Sequence, residues 1–573
     1  MRTLENLDIS YTQVNLLEPE SKVGLFRQME QRRVLVVLVM VALGFCARVY
    51  RLDAAGFAED EANKIFAVRA YEQADFTVNA EHPMVMKMLC YTSVHATSLW
   101  NRAIGQNSSL LISEETALRL PNAAFGALTV IPLFFLTVGL LGFRVGLATS
   151  ILWAFGLDAI WFNRTVKEDT LLVFFMFWGF YLYFKAKQMP ADDTAGQERL
   201  FSLAGAAFGL MMASKYFPHY WALNALFYTL IGYDSRNNRP LTAAMWRKYF
   251  AGMLIAFVAF NPAAFLPQTL RYLWKYVNEE LLTHHGYLVM DKLYINDFLQ
   301  TPGGNPWHFY FLFVAVKFPL PILLAFAVGL AHIFTRRGRY PYSRGYIFLR
   351  VMLLFWLIPE AVVGTKFLRY SLSLIPLIYM TAAVGIVLMW DTVTGGLKVV
   401  SQSRRLVNAV GVTAVLAIFI VAPVALTIDC MRRSYPSLYV NVFGRNRIGY
   451  FFPHDEFYDL GARESIQFVA QKAAPGGKIA SEIPGVVQYY MERFNRSDIR
   501  SEIISQPSFS LIGGRPDFVL LQRGRVYLEN LENVALIEGA FPIAHASVYQ
   551  GAAAARVYAT GTETNKLVFK QLE

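Results

Sequence analysis

The chain has 573 residues, 55% hydrophobic and only 17% charged, with a formal net charge of +11 and a mean hydropathy of +0.35. Soluble domains run at about 45–50% apolar and about 25% charged, so a soluble enzyme, a disordered chain and a fibrous protein are excluded. The basic excess suits the cytoplasmic loops of a membrane protein rather than nucleic acid, and Cys46, Cys90 and Cys430 match neither a disulfide framework nor a metal spacing.

A mostly polar segment, 1–32, precedes a first apolar run at about 34–47 that follows Arg32 and Arg33 and reads as an uncleaved signal anchor. A span needs ~20 mostly apolar residues. Candidates lie near 33–50, 120–141, 144–161, 170–186, 199–213, 217–232, 248–262, 307–331, 347–363, 368–390 and 406–428, about eleven in all. The segment 84–100 holds Lys87, His95 and several hydroxyls and is assigned to the outer interface as an amphipathic helix. Loop charge requires this. With a cytoplasmic N-terminus and no crossing there, Lys185/Lys187, Arg236/Arg239/Arg247/Lys248, Arg336/Arg337/Arg339 and Lys398/Arg404/Arg405 all fall inside.

The expected fold is an α-helical polytopic protein of the plasma (inner) membrane, with a membrane domain at 33–428 and outer loops at 51–118 and 263–306. Residues 429–573 should form a small extracytoplasmic α/β domain: helical at 455–473, with β-rich runs at 478–483, 499–504, 517–521, 534–537 and 544–549. No repeat or low-complexity tract is evident, and Gly476-Gly477 and Gly513-Gly514 are ordinary turns.

This topology gathers ionisable residues on the outer face. They are Glu59-Asp60-Glu61, Glu81-His82 and Lys87 in the first loop; Arg164, Lys167, Glu168 and Asp169 after the third span; Lys215-Tyr216; His284-His285; and Lys366, Arg369 and Tyr370. Ionisable groups at membrane depth are functional candidates by default. Blander readings stand beside each. The acids of 59–61 could oppose a helix dipole, Arg164 could snorkel, and Lys366 and Arg369 could anchor. His284-His285 reads as a solvated or sugar-facing pair, since adjacent histidines rarely chelate together and no ligand-spaced partner is near.

The order Asp60-Glu61, His82-Pro83-x-x-x-Lys87, Arg119-Leu120-Pro121 at a span start and Arg164-x-x-x-x-Asp169 resembles the protein O-mannosyltransferase-like group. That group belongs to the GT-C class of membrane glycosyltransferases, and its bacterial relatives include aminoarabinose transferases acting on lipid A. The resemblance covers roughly 35–390. The usual His-Pro-Pro reads His82-Pro83-Met84 here, and the loop at 263–306 is too short for a β-trefoil insertion, so a bacterial-type relative is favoured. The resemblance implies a GT-C fold and inverting transfer of a sugar from a polyprenyl-phosphate (undecaprenyl- or dolichyl-phosphate) donor to a lipid, glycan or protein acceptor. It implies that the first acid, Asp60, is essential, and that Arg119 matters.

The chemistry of such a transfer needs one base, not the carboxylate pair of a hydrolase. Asp60 can deprotonate the acceptor, with Glu61 and Asp169 orienting the site or binding sugar hydroxyls. The leaving polyprenyl phosphate needs fixed cations, supplied by Lys215, Lys366 and Arg369, with Arg119 and Arg164 as further candidates. Glu81, His82, Lys87, Tyr216, His284, His285 and Tyr370 would line the acceptor or sugar side. No cofactor is expected and no metal is indicated. The rival readings are a lipid or sugar transporter or flippase and a non-catalytic scaffold. The acids cluster in loops rather than mid-span and no inverted repeat is visible, which weighs against transport.

Overall fold

The structure, a computed structural model, describes residues 19–105, 107–190, 192–216, 242–275, 286–297, 300–336, 343–400, 404–433, 435–511 and 515–561. Helix α1 (Pro19–Val49) begins with proline, which needs no partner for its missing N–H at a first turn. It starts well before the apolar run that its sequence suggests. Its last turn is anchored by Arg48, whose guanidinium donates to the Gly44, Trp153 and Ala154 carbonyls and to Asn163 Oδ1, each at 3.0 Å.

The first long loop carries α2 (Glu59–Glu72) and α3 (Met84–Ile104). Helices α4 (Glu114–Leu128) and α5 (Val130–Leu141) run on as one apolar stretch of 28 residues. The predicted span 144–161 is broken into α6 (Phe143–Phe155) and α7 (Leu157–Asn163), bent by 52° at Gly156. A Cβ at Gly156 would lie 2.1 Å from the Tyr379 hydroxyl and 2.3 Å from the Leu152 carbonyl, so only glycine fits the bend. The break aims α7, and the loop after it, toward α2.

Helices α8 (Asp169–Gln188), α9 (Thr194–Ser214) and α10 (Ala243–Phe260) follow, with the predicted span 217–232 outside the described residues. A short helix α11 (Pro267–Lys275) and a hairpin, β1 (Tyr287–Val289) with β2 (Lys292–Tyr294), fill the next long loop. The predicted span 307–331 divides at Phe318-Pro319 into α12 (Phe309–Lys317) and α13 (Leu320–Thr335), because proline cannot continue the ladder. After α14 (Ser343–Val362), the segment predicted to span from 368 starts as a 3₁₀ turn, Leu368–Ser373, before α15 (Ile375–Val400). Helices α16 (Arg404–Leu416) and α17 (Ala422–Arg433) are joined through a π turn. Among the described residues, five helices are long and apolar enough to cross a membrane, or six with the bent α6–α7 pair, against the eleven expected.

The C-terminal region holds α18 (Pro453–Phe457), α19 (Ala462–Lys472), β3 (Lys478–Ala480), α20 (Pro484–Arg493), β4 (Arg500–Glu502), β5 (Phe518–Gln522), α21 (Leu531–Ala540), β6 (Ile543–Tyr549) and β7 (Ala552–Ala559). The sheet order is β4-β3-β5-β7-β6, with β3 parallel to β4 and β5, and β7 antiparallel to β5 and β6. Two sequence expectations fail here. Residues 534–537 are helix, not strand, since a four-residue apolar run has no diagnostic period. The alanine-rich β7 has weak strand propensity, yet it lies between β5 and β6, where small side chains suffice. The expected continuous helix 455–473 is interrupted by Tyr458 and Asp459 in the left-handed region, with φ of 41° and 61°.

One core lies among the apolar helices around Phe134, Trp153, Phe177, Phe180 and Tyr379. A second joins distant parts of the chain. Phe57, Ile65 and Val68 of the first loop and Met86 and Cys90 of α3 pack with Ile466, Val487 and Phe518 of the C-terminal region. The region after 429 is thus docked on the first long loop through a shared apolar core.

Candidate active site

The acids of 59–61 occupy the first turn of α2, where exposed N–H groups favour negative charge. Each also has a specific partner. Glu61 closes a capping box by accepting from Ala58 N at 3.1 Å. It meets Arg119 in a two-pronged pair, Nε to Oε1 at 2.8 Å and Nη2 to Oε2 at 2.5 Å, and also accepts from Val166 N at 3.0 Å. Arg119 further donates to the Leu52, Ala55 and Gly56 carbonyls at 2.8, 2.9 and 2.7 Å. All five of its N–H donors are therefore committed. The structure corrects two expectations: Arg119 does not offer its donors to a phosphate, and Glu61 is a strut that sets where α2 begins.

Asp60 faces the other way and is 29% exposed. It contacts Lys167 Nζ, accepts from the Tyr458 hydroxyl at 2.6 Å and lies 3.8 Å from Arg369 Nη1. Lys167, Tyr458 and Arg369 line a narrow cleft together with Asp169, Asp455 and Thr165, against an apolar wall of Trp161, Phe162 and Leu372. Burial pushes the Asp60 carboxyl up, but Lys167, Arg369 and Lys64 together outweigh it and hold the group well below the usual carboxylate range. Lys167 is pushed down to about 8, by burial first and then by Arg369, against the pull of Asp60.

Behind Asp60 is a closed layer. Lys64, one turn along α2, pairs with Glu168 at 2.8 Å and donates to Asn79 Oδ1 at 3.0 Å. Glu168 lies 3.6 Å from His82 Nδ1. Burial drives His82 well below its ordinary value, against the pull of Glu168. Lys87 donates to the Asn79 and His82 carbonyls at 2.6 and 2.9 Å and is pushed down to about 7 by burial. Glu81 accepts from Asn79 and from the Tyr272 hydroxyl, the latter at 2.9 Å.

On the opposite wall, Asp169 pairs with Lys215 Nζ at 2.5 Å, and that ammonium sits 4.5 Å from the Tyr370 ring. Arg369 stacks on Phe367 and Tyr370, with its guanidinium carbon 4.2 and 5.4 Å from the ring centres. Asp455 accepts from Tyr287 and, at 3.1 Å, from Leu368 N, which ties the C-terminal segment to the 3₁₀ turn carrying Arg369.

Several expected site residues lie elsewhere. Lys366 is buried with Nζ on the Asn305 and Val363 carbonyls, so it pins its own turn rather than lining the cleft. Arg164 donates to the Arg48, Tyr50 and Arg51 carbonyls at 3.1, 2.6 and 2.8 Å, capping the end of α1. The Tyr216 hydroxyl accepts from Asn261 at 2.8 Å, while His284 and His285 lie outside the described residues. The amino-acid order gave Lys64, Asp455 and Tyr458 no place in the site, and it put Lys167 and Glu168 in the outer-face cluster without a role. Lys64 had a signal, its place four residues after Asp60 on one helix face; Lys167 and Glu168 sat inside the motif ending at Asp169. Asp455 and Tyr458 had none.

The description "dolichyl-phosphate-mannose-protein mannosyltransferase" matches residues 103–265, and "Alg9-like mannosyltransferase family" matches residues 296–448. Each match covers less than a third of the chain, and both segments are similar to mannosyltransferases, which supports a glycosyltransferase enzyme. Among solved structures, ArnT from Cupriavidus metallidurans in the apo state is similar at 13% identity and a TM-score of 0.51, covering 93% of this chain and 99% of that one. The oligosaccharyltransferase of Archaeoglobus fulgidus, tethered with an acceptor peptide containing the NVT sequon, is similar at 11% identity and a TM-score of 0.50, covering 92% and 74%. These likenesses establish the fold. No curated protein sequence matches the chain. The glycosyltransferase is an integral membrane protein, and its first matched segment includes Arg119, Arg164, Asp169 and Lys215.

Proposed function

We propose that this enzyme transfers a sugar, with inversion, from a polyprenyl-phosphate carrier to a hydroxyl-type acceptor at the outer face of a bacterial plasma membrane. The carrying observation is a partly exposed carboxylate, Asp60, that meets Lys167 and Arg369, the two cations lining the adjoining cleft. A base and phosphate-binding cations within one cleft suit single displacement at an anomeric carbon. Asp60 takes the acceptor proton. Arg369 and Lys167 meet the phosphate, and Lys215 steadies Asp169 beside it. The apolar wall of Trp161, Phe162 and Leu372 suits the sugar face and the first isoprene unit. The loop charges support a cytoplasmic N-terminus and an external C-terminal region, and the amphipathic α3, with Leu99 and Trp100 exposed, suits the membrane interface. The acceptor is a lipid, glycan or protein.

The test is incubation of purified protein with polyprenyl-phosphate sugars and candidate acceptors, with products read by mass spectrometry. Release of polyprenyl phosphate with an equal yield of glycosylated acceptor is expected. A carrier that only changes leaflet, with its sugar still attached, would overturn the reading.

A further inference from the structure

The general base of the reading above is placed where protons are least welcome. The Asp60 carboxylate meets Lys167 Nζ directly, the Tyr458 hydroxyl at 2.6 Å and Arg369 at 3.8 Å. Lys64, on its own helix, adds charge but is locked to Glu168 at 2.8 Å, with His82 beyond. Tyr370 faces Asp60 from the 3₁₀ turn, and Asp455 faces Lys167 and Arg369 from the C-terminal segment. A carboxylate held this low is a weak base, whereas an efficient one lies near the operating pH.

The partners of Asp60 differ in what they can do. Tyr458 is a neutral donor to Asp60 and brings no charge to a phosphate. Arg369 is stacked on two rings and fixed to the cleft wall. Lys167 is a point charge on a flexible stem and lines the same cleft. A phosphate entering that cleft must share Lys167 with Asp60.

We propose, on the basis of the glycosyl-transfer reading above, that Lys167 is a catalytic residue shared between Asp60 and the donor phosphate, so that donor binding arms the base. The donor diester brings one negative charge and draws Lys167 off Asp60. The acceptor oxygen then bonds to the anomeric carbon as the bond from that carbon to the phosphate oxygen breaks. The electron pair goes to the phosphate, the acceptor proton goes to Asp60, and Lys167 follows the second charge growing on the leaving phosphate. Tyr458 keeps the carboxylate oriented throughout. Donor binding therefore precedes productive acceptor deprotonation.

The experiment is the pH dependence of the purified full-length enzyme with a polyprenyl-phosphate sugar. The acid limb of kcat/KM for donor reports the donor-free carboxylate, and the acid limb of kcat reports the complex. The kcat limb should lie higher by about 1–3 pH units, the scale of one nearby charge, because the donor diester does not itself titrate there. In Lys167→Met the two limbs should converge and donor affinity should fall roughly tenfold to a hundredfold, the scale of one charge-assisted hydrogen bond. Lys167→Arg should keep the separation. The wild-type profile alone decides the matter if the methionine variant misfolds. Transfer with coincident wild-type limbs overturns this proposal and leaves the function standing. No transfer and no binding of polyprenyl phosphate overturns both.

Discussion

Asp60 and Glu61 are neighbours in one helical turn, and each meets a basic residue from a distant segment. Around Glu61 every donor has one assigned acceptor: Arg119 spends its five N–H groups on a carboxylate and three carbonyls, and the pair is buried. Around Asp60 the arrangement stays open. Three donors converge on a partly exposed carboxylate that borders a cleft. A saturated, buried pair holds geometry, while an exposed, exchangeable one can do chemistry. The same contrast separates Arg164 and Lys366, whose donors point at carbonyls, from Arg369, which faces the cleft.

The comparison breaks most easily at Asp60. Asp60→Asn keeps size and hydrogen bonding but cannot take a proton, so turnover should fall by ~10²–10⁴, with the thermal transition and donor binding retained. A folded Glu61→Gln protein with dead chemistry and a normal Asp60→Asn would reverse the assignment. Next in size, Arg119→Met leaves Glu61 buried and unpaired, which should cost about 3–5 kcal/mol of stability; a thermal-unfolding scan in detergent checks it. Loss of activity with an unchanged transition would mean that Arg119 touches substrate after all.

Arg369→Gln sharpens the contrast among cations. It should weaken donor binding by about 1.5–3 kcal/mol, measured by titration with polyprenyl phosphate, whereas Lys366→Met should leave donor affinity unchanged and lower the unfolding temperature. The smallest effect is a pH dependence. Lys167 is held down to about 8 in the free site, and it binds phosphate only when charged. Donor affinity should fall as pH rises through that value, stay level just below it, and rise again only at the lower pH where Asp60 takes a proton in the complex. Lys167→Arg, which stays charged, should flatten the curve; an unchanged curve would remove Lys167 from the donor's contacts.

Much of this site was legible in the amino-acid order. Asp60, Asp169, Lys215 and Arg369 stood out because charged residues beside long apolar runs have few structural uses, and all four come together across one cleft or directly behind it. The apolar runs likewise marked most of the long helices, since length and hydropathy are local properties. Other features were not local. Whether an arginine binds a phosphate or caps a helix depends on which carbonyls the fold brings to it, and nothing in the residues around Arg119 or Arg164 states this. The bend at Gly156 depends on Tyr379, more than two hundred positions away. Tyr458 and Asp459 reach α2 because their left-handed conformations break the helix expected there: Tyr458 meets Asp60, and Asp459 accepts from Glu59 N at 2.9 Å. Arg525 clamps the same turn through Glu59 at 2.6 Å and Asp459 at 2.6 Å. Periodicity and composition act over a few turns, and so they marked a polytopic membrane chain and its reactive residue types. Which charges stay exchangeable, and how the C-terminal region reaches Asp60, depend on desolvated contacts between segments some four hundred residues apart.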